Sequence, residues 1–322
     1  MADECRMILD VDTGIDDAMA ILYALNRPGI RLEALTTTFG NTDVDAATAN
    51  TLRILELAGR NDILVARGSG RSLLGPFVKG AAHVHGSNGL GEIDLPAPQS
   101  QPVAEHASDL IIRMARSNPG AITLCPVGPI TNVAIAIAKA PDIAALLKEI
   151  VIMGSTISHP GVQGISSPMA DANFWNDPEA AQIVLRSGAK ITLVGMDVTM
   201  KVLLTAPMRD DIMHHGGRVG ATMMKIAEFY VRSYETMYPG IGGCGLHDPL
   251  AVAIAEDPTL AVTERMCVDI ELAGRLTRGQ TVADRRRTAR DKQNADVCRQ
   301  VDADRFTHRF VAALKGFGSA EQ

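Results

Sequence analysis

Aromatic side chains are scarce in this chain: they make up 4% of its 322 residues, with a single tryptophan, Trp175. One tryptophan excludes a ligand site built as a sandwich of two. Cysteine is also sparse. Cys5, Cys125, Cys244, Cys267 and Cys298 are odd in number, widely spaced and form no C-x-x-C pair. That argues against a disulfide framework or a zinc site and fits a reducing cytoplasm. Uninterrupted apolar runs never reach the roughly 18 residues of a membrane span. The start, MADECRMILD, lacks a basic region followed by a long apolar stretch, so no signal peptide is expected. Positive charge is in deficit, with a net charge of −6. Neither nucleic acid nor an anionic membrane is an expected partner. The one basic run, RRRTAR from Arg285, suits a solvated face.

What is present is enough apolar material for a large core, 46% hydrophobic against 21% charged residues. Short apolar runs alternate with segments of helical period. RMILDV, RLEALTTTFG, DILVARG, AITLCPVG, KEIVIMG and AKITLVGMDVT read as strands. Between them DDAMAILYALNRP, DVDAATANTLRILELAGR, EHASDLIIRMARSNPG, PITNVAIAIAKAP and DPEAAQIVLRSG read as helices. This rhythm predicts an α/β fold: an open, mostly parallel, Rossmann-like sheet with helices on both faces. No linker divides the chain, so residues 1–322 are expected to form one domain. The Gly-, Pro- and Ser-rich stretches Gly68 to Gly91 and Ser155 to Met169 read as loops over the sheet. In such folds ligands bind beyond the carboxyl ends of the strands. Asp10 to Asp17, Thr38 to Asn41, Val127, Met153 and Asp197 all fall there.

The densest chemistry lies in ILDVDTGIDDAMA, where Asp10, Asp12, Asp16 and Asp17 crowd the end of an apolar strand. An aspartyl phosphatase of the haloacid-dehalogenase type would need D-x-D-x-T, but the fifth position is Gly14. Asp16 and Asp17 would also repel a phosphate dianion. A hard cation with oxygen ligands, calcium or magnesium, uses every acid and relieves their burial. Gly14 permits the tight turn, and Asp16 and Asp17 start a helix whose dipole tolerates carboxylates. A second segment, GCGLHDPLAVA, offers Asp248 to complete the metal shell and His247 as a general acid.

With these two motifs the chain resembles the calcium-dependent inosine-uridine-type nucleoside hydrolases, whose signature is D-x-D-x-G-x-D-D. Here it reads DVDTGIDD. The resemblance continues through TTTFGN, HGSNGLG, CPVGPITNVA, VIMG, ADANFWNDPEAA, HDPLAVA and GRLTRGQTVADRRR, nearly the whole chain. It implies hydrolysis of the N-glycosidic bond of ribonucleosides to base and ribose in nucleoside salvage, by a homodimer or homotetramer. It implies Ca²⁺ held by Asp12, Asp17, the Val127 carbonyl and Asp248. Asp12 would be the general base toward a calcium-bound water, with no covalent intermediate. Asp16, Asn41 and Asn173 would bind the ribose, and Met153 would pack against it. His85 would contact the base, and His247 would contact or protonate the leaving group. Tyr230 and Tyr234, at i and i+4, could reach a base, although that spacing also suits half-buried packing.

Several positions depart from the family. GISSPMADAN, Gly164 to Asn173, stands where the family often has G-N-x-T-P-x-A-E-F-N. Asp171 replaces a glutamate that reaches the ribose 5′-hydroxyl, Ile165 an asparagine that helps it, and Ala172 an aromatic. A weaker demand for the 5′-hydroxyl is expected, unless a loop shift or Ser166 and Ser167 restore the contacts. The altered loop also keeps open a non-catalytic nucleoside-binding protein on the same scaffold. Thr13 stands where the family usually has proline, and the sequence assigns it no role. Asp10 is expected to support the acidic loop from behind.

Overall fold

The computed structural model describes residues 4–77, 80–157 and 167–319. The apolar runs form strands β1 (Cys5–Val11), β2 (Ile30–Thr37), β3 (Leu64–Arg67), β4 (Ile122–Pro126), β5 (Glu149–Met153) and β6 (Ile191–Val194). A two-stranded ribbon follows, β7 (Leu203–Thr205) with β8 (Gly243–Gly245), and then β9 (Ala261–Ile270), β10 (Thr281–Asp284) and β11 (Ala295–Val301). Nine strands make one sheet in the order β10-β9-β11-β6-β5-β4-β1-β2-β3. From β11 to β3 the neighbours run parallel, and β9 pairs antiparallel with both β11 and β10.

The principal helices are α1 (Ile15–Leu25), α2 (Val44–Leu57), α3 (Ala107–Ser117), α4 (Thr131–Lys139), α5 (Pro178–Leu185), α6 (Gly217–Met237), α7 (His247–Glu256) and α8 (Ala303–Ser319). They cover both faces of the sheet. Met7, Leu9 and Val11 of β1 pack with Ile21 of α1, Leu250 of α7 and Phe306 and Phe310 of α8. Ile8 packs on the other face with Leu110 of α3, Ile137 of α4 and Val184 of α5. The alternation is the pleat of a strand buried on both sides, which is why β1 reads as a continuous apolar run.

Two readings from the sequence are corrected. AKITLVGMDVT is not one strand. It stops at Val194, and Met196–Thr199 closes a helical turn whose first N–H donates to the Ser155 carbonyl at 2.9 Å. The antiparallel edge includes part of GRLTRGQTVADRRR, whose Thr281–Asp284 pairs with Cys267–Ile270, and it was not among the strands read from the sequence. Among the described residues no helix is long and apolar enough to cross a membrane.

The strand order positions the site. From β1 the chain passes outward to β2 and β3, then returns to the opposite side of β1 as β4. The crevice of a doubly wound sheet opens where that reversal occurs, beyond the carboxyl ends of β1 and β4. Asp12 and Val127 are the first residues past those two ends.

Candidate active site

The loop after β1 is shaped by its own acids. Asp17 is the third residue of α1. Its Oδ2 accepts the Gly14 N–H at 2.9 Å, and its Oδ1 accepts the Asp12 N–H at 3.0 Å. The helix start is thus capped by a carboxylate within the helix, satisfying donors that would otherwise be orphaned. Asn41, after β2, adds an Nδ2–H bond to Asp17 Oδ2 at 2.9 Å and gives its main-chain N–H to Asp12 Oδ2 at 2.6 Å. Glycines close around Asp12: a Cβ on Gly40 would lie 2.0 Å from its Oδ2, and one on Gly128 2.7 Å from its Oδ1. No side chain fits at either place without displacing the carboxylate.

Beneath the loop, Asp10 Oδ1 accepts from Thr36 Oγ1 at 2.5 Å and Asn132 Nδ2 at 2.8 Å. Asn132 also donates to the Thr37 carbonyl and accepts from the Ser69 N–H. Asp10 thus ties β1 to β2 and α4 beneath the loop.

Asp16, Asp17 and Asp248 bring carboxylate oxygens within 4.8 Å of one another, all three buried. Asp248 reaches them from the first turn of α7. Asp12 lies outside this mutually close trio but adjoins Asp17; Asn41 and the glycines hold its carboxylate beside Gly128. Three aspartates keep a fully buried oxygen without a hydrogen-bond partner: Asp10 Oδ2, Asp12 Oδ1 and Asp16 Oδ1. Burial pushes Asp16 and Asp17 up to about 6 and Asp10 to about 7, and holds Asp12 and Asp248 well above the usual carboxylate range. Mutual repulsion adds to this for Asp12, Asp17 and Asp248. An all-oxygen set with orphaned buried acceptors fits a hard divalent cation.

A cavity of about 270 Å³ opens over the cluster, lined in part by Asp16, Asn41, His85, Val127, Met153, Asn173, His247 and Asp248. Asn173 Nδ2 donates to the Val127 carbonyl at 2.7 Å and the Met153 carbonyl at 3.0 Å, tying the ends of β4 and β5 together. Asp171 caps the short helix Ala172–Asn176. Its Oδ1 accepts the N–H groups of Asn173 (2.9 Å) and Phe174 (3.1 Å), and its Oδ2 accepts that of Ser155 (2.8 Å). The structure thus gives this carboxylate a main-chain task that the sequence comparison did not anticipate. Ile165 and Ser166 lie outside the described residues. Trp175 stands at the mouth, 39% exposed.

On the opposite wall Tyr230 of α6 lines the cavity, whereas Tyr234, fully buried, packs behind it outside the lining. The Tyr230 hydroxyl donates to Asp16 Oδ2 at 3.1 Å and lies 3.4 Å from the Tyr234 hydroxyl. Tyr234 pairs with His247 Nε2, and His247 Nδ1 pairs with Thr199 Oγ1 at 2.6 Å. His85 stacks on Tyr230 at 5.4 Å between centroids, and its Nδ1 accepts the Ile15 N–H. Burial lowers both His85 and His247 to about 4, so both imidazoles are neutral at pH 7. Sequence reasoning missed Thr199, Asn132 and the two glycines around Asp12. None carries a local signal, since each acquires its partner only through the fold.

An α/β sheet with a buried carboxylate cluster at its switch point, opening into a cavity, has the chemistry to hold a hard cation beside a small molecule. Comparison with known proteins is more specific. Residues 7–308 match the family described as inosine-uridine preferring nucleoside hydrolase. An inosine-uridine preferring nucleoside hydrolase of Leishmania major is 37% identical over 98% of this chain and 99% of its own length. A pyrimidine-specific ribonucleoside hydrolase of Citrobacter koseri is 34% identical over 97% and 99%. A solved structure of a purine-preferring ribonucleoside hydrolase from Gardnerella vaginalis superimposes with a TM-score of 0.93 at 35% identity, covering 98% of this chain and 99% of that one. The chain belongs to the inosine-uridine preferring nucleoside hydrolase family, which is metal-dependent. That membership removes the phosphatase alternative.

Proposed function

We propose that the protein hydrolyses the N-glycosidic bond of ribonucleosides to free base and ribose, with Ca²⁺ as its cation. The observation that carries this reading is the buried cluster Asp16, Asp17 and Asp248 beneath the cavity at the β1/β4 reversal. Asp17 and Asp248 are the principal cation ligands. Asp12 and the Val127 carbonyl complete the set expected from the family, and Asp16 stands close enough to join it. When bound, a hard cation supplies Lewis acidity toward a water and an anchor for vicinal ribose hydroxyls.

The rest is done by the chain. Asp12 Oδ1, buried and unpartnered, takes the proton of the attacking water. Asp16 and Asn41 bind the ribose 2′-hydroxyl side, Asn173 holds the sugar against Met153, and the carboxylates stabilise the positive charge that develops on the ring. His85 and Tyr230 face the base, and Tyr234 supports Tyr230 and His247 from behind. His247, neutral and hydrogen-bonded through both nitrogens to Tyr234 and Thr199, lines the cavity on the leaving-group side rather than serving as a charged acid. The active unit is a cytoplasmic homo-oligomer of chains that each fold as one domain. Purified protein incubated with inosine or uridine is expected to release free ribose and base, and to stop in EDTA. No release from either nucleoside would overturn the activity. Release unaffected by EDTA and by Asp12→Ala would overturn the mechanism.

A further inference from the structure

Thr13 sits between the general base and the turn glycine, fully buried, yet it touches neither cavity nor cation cluster. Both its polar groups are spent on helix α2. Its hydroxyl pairs with Thr51 Oγ1 at 2.6 Å, and its carbonyl accepts Asn50 Nδ2 at 3.3 Å. The direction of the first bond is fixed. Thr51 has one hydroxyl proton and gives it back to the Ala47 carbonyl at 2.9 Å, so Thr13 must donate and Thr51 accept.

Asn50 carries the connection further. The same Nδ2 donates to the Asn88 carbonyl at 2.9 Å, and its Oδ1 accepts from Arg53 Nη1 at 2.9 Å. Asn88 belongs to the loop that follows His85, and Gly89 of that loop packs against both Asn50 Nδ2 and the Thr13 carbonyl. One turn of α2 therefore holds the acidic loop and the His85 loop in a common register. Asn50 and Thr51 are both fully buried, so water does not compete for these bonds.

We propose that Thr13 is a positioning residue for the cation cluster: its two bonds to Asn50 and Thr51 hold the Asp12–Asp17 loop in the cation-ready arrangement before the cation arrives. This rests on the cation reading above. The loop places several desolvated carboxylates together, and repulsion would spread them if the loop were free. A tether that prevents spreading raises affinity without touching the ion, by removing ordering that binding would otherwise have to do.

The test is calorimetric titration of the chelator-treated protein with CaCl₂, with the thermal midpoint of each cation-free variant measured alongside. Thr13→Val keeps the shape and deletes the hydroxyl. Calcium affinity is expected to fall by about 3- to 10-fold, the worth of one ordinary hydrogen bond. Thr13→Ser is expected to restore most of it, and Thr13→Val with Thr51→Val to cost little more than Thr13→Val alone. Thr48→Val is the control. Thr48 makes a matching buried pair with Thr37 at 2.7 Å, on the same helix but without a bond to the acidic loop. It should lower the midpoint and leave calcium affinity unchanged. The inference is overturned if Thr13→Val lowers the midpoint alone, or if Thr48→Val weakens calcium as much. A wild-type chain that takes up no calcium would instead remove the cation reading itself.

Discussion

Replacing Asp10 by asparagine should make the cation-free protein more stable at pH 8 and no more stable, or less, at pH 4.5. Asp10 is fully buried, and burial raises its carboxyl from 3.8 to about 7. A carboxyl whose folded value lies above its unfolded value gives stability that is fully present below about pH 3.8. That stability is lost as pH climbs through 7. The cost of ionising Asp10 in place is therefore about 1.5 kcal/mol at pH 5 and ~4 kcal/mol at pH 8. Asparagine never incurs it. Its carbonyl can accept the Thr36 and Asn132 bonds that Asp10 Oδ1 now accepts, but its amide takes the place of the unpartnered Oδ2. A buried amide without an acceptor costs about 1–3 kcal/mol at every pH. The difference leaves Asp10→Asn ahead by about 1–3 kcal/mol at pH 8, with the two stability curves crossing between about pH 4.5 and 6. Reversible urea unfolding in EDTA, from pH 4.5 to 8, reads this directly. Curves that stay parallel across that range would show that Asp10 does not titrate as its burial requires. A variant that falls further behind as pH rises would refute the reasoning outright.

Other outcomes follow from single contacts. Thr199→Val leaves His247 Nδ1 buried without its partner at 2.6 Å, a loss of about 1–3 kcal/mol. Steady-state kinetics should show kcat falling about tenfold with KM little changed, whereas a raised KM at constant kcat would assign the bond to substrate binding. Gly128→Ala puts a Cβ 2.7 Å from Asp12 Oδ1, so kcat should fall by at least tenfold with the fold intact by circular dichroism; unchanged kcat would detach Asp12 from the chemistry. Because Asp171 already accepts three main-chain N–H bonds, removing the substrate's 5′-hydroxyl should cost kcat/KM less here than in the Leishmania major relative. A hydrogen bond to a charged group is worth about 1.5–3 kcal/mol, and equal losses in the two enzymes would show that this one keeps such a bond.

The parallel half of the fold was legible because each of its strands is buried on both faces. Such strands appear as unbroken apolar runs, and the helices between them carry a clean period. The antiparallel edge was not, because β9 exposes half its residues and mixes Thr263, Glu264 and Arg265 into its run. In the site, the acids of DVDTGIDD and HDP could be seen because so much charge after an apolar strand demands an explanation. Their exact partnership could not. That Asp16, Asp17 and Asp248 form the mutually close set while Asp12 is held by Asn41 depends on Gly40, Asn41 and Gly128, which belong to two other strand ends. Thr199 was invisible for the same reason. Its segment read as strand, and only the turn after β6 brings its hydroxyl to His247.

The position of Asp248 bears on the order in which the molecule is built. A growing chain carries Asp10 to Asp17 from the outset, but most of the polypeptide must be synthesised before α7 emerges and brings in its aspartate. Until then Asp16 and Asp17 lack the third carboxylate of their trio. Docking of α7 is the moment at which water leaves and the repulsion is felt. Docking of α7, rather than the early collapse of β1 to β6, is therefore expected to be the step whose rate responds to acidity and to divalent cations, which stopped-flow refolding at varied pH and CaCl₂ would read.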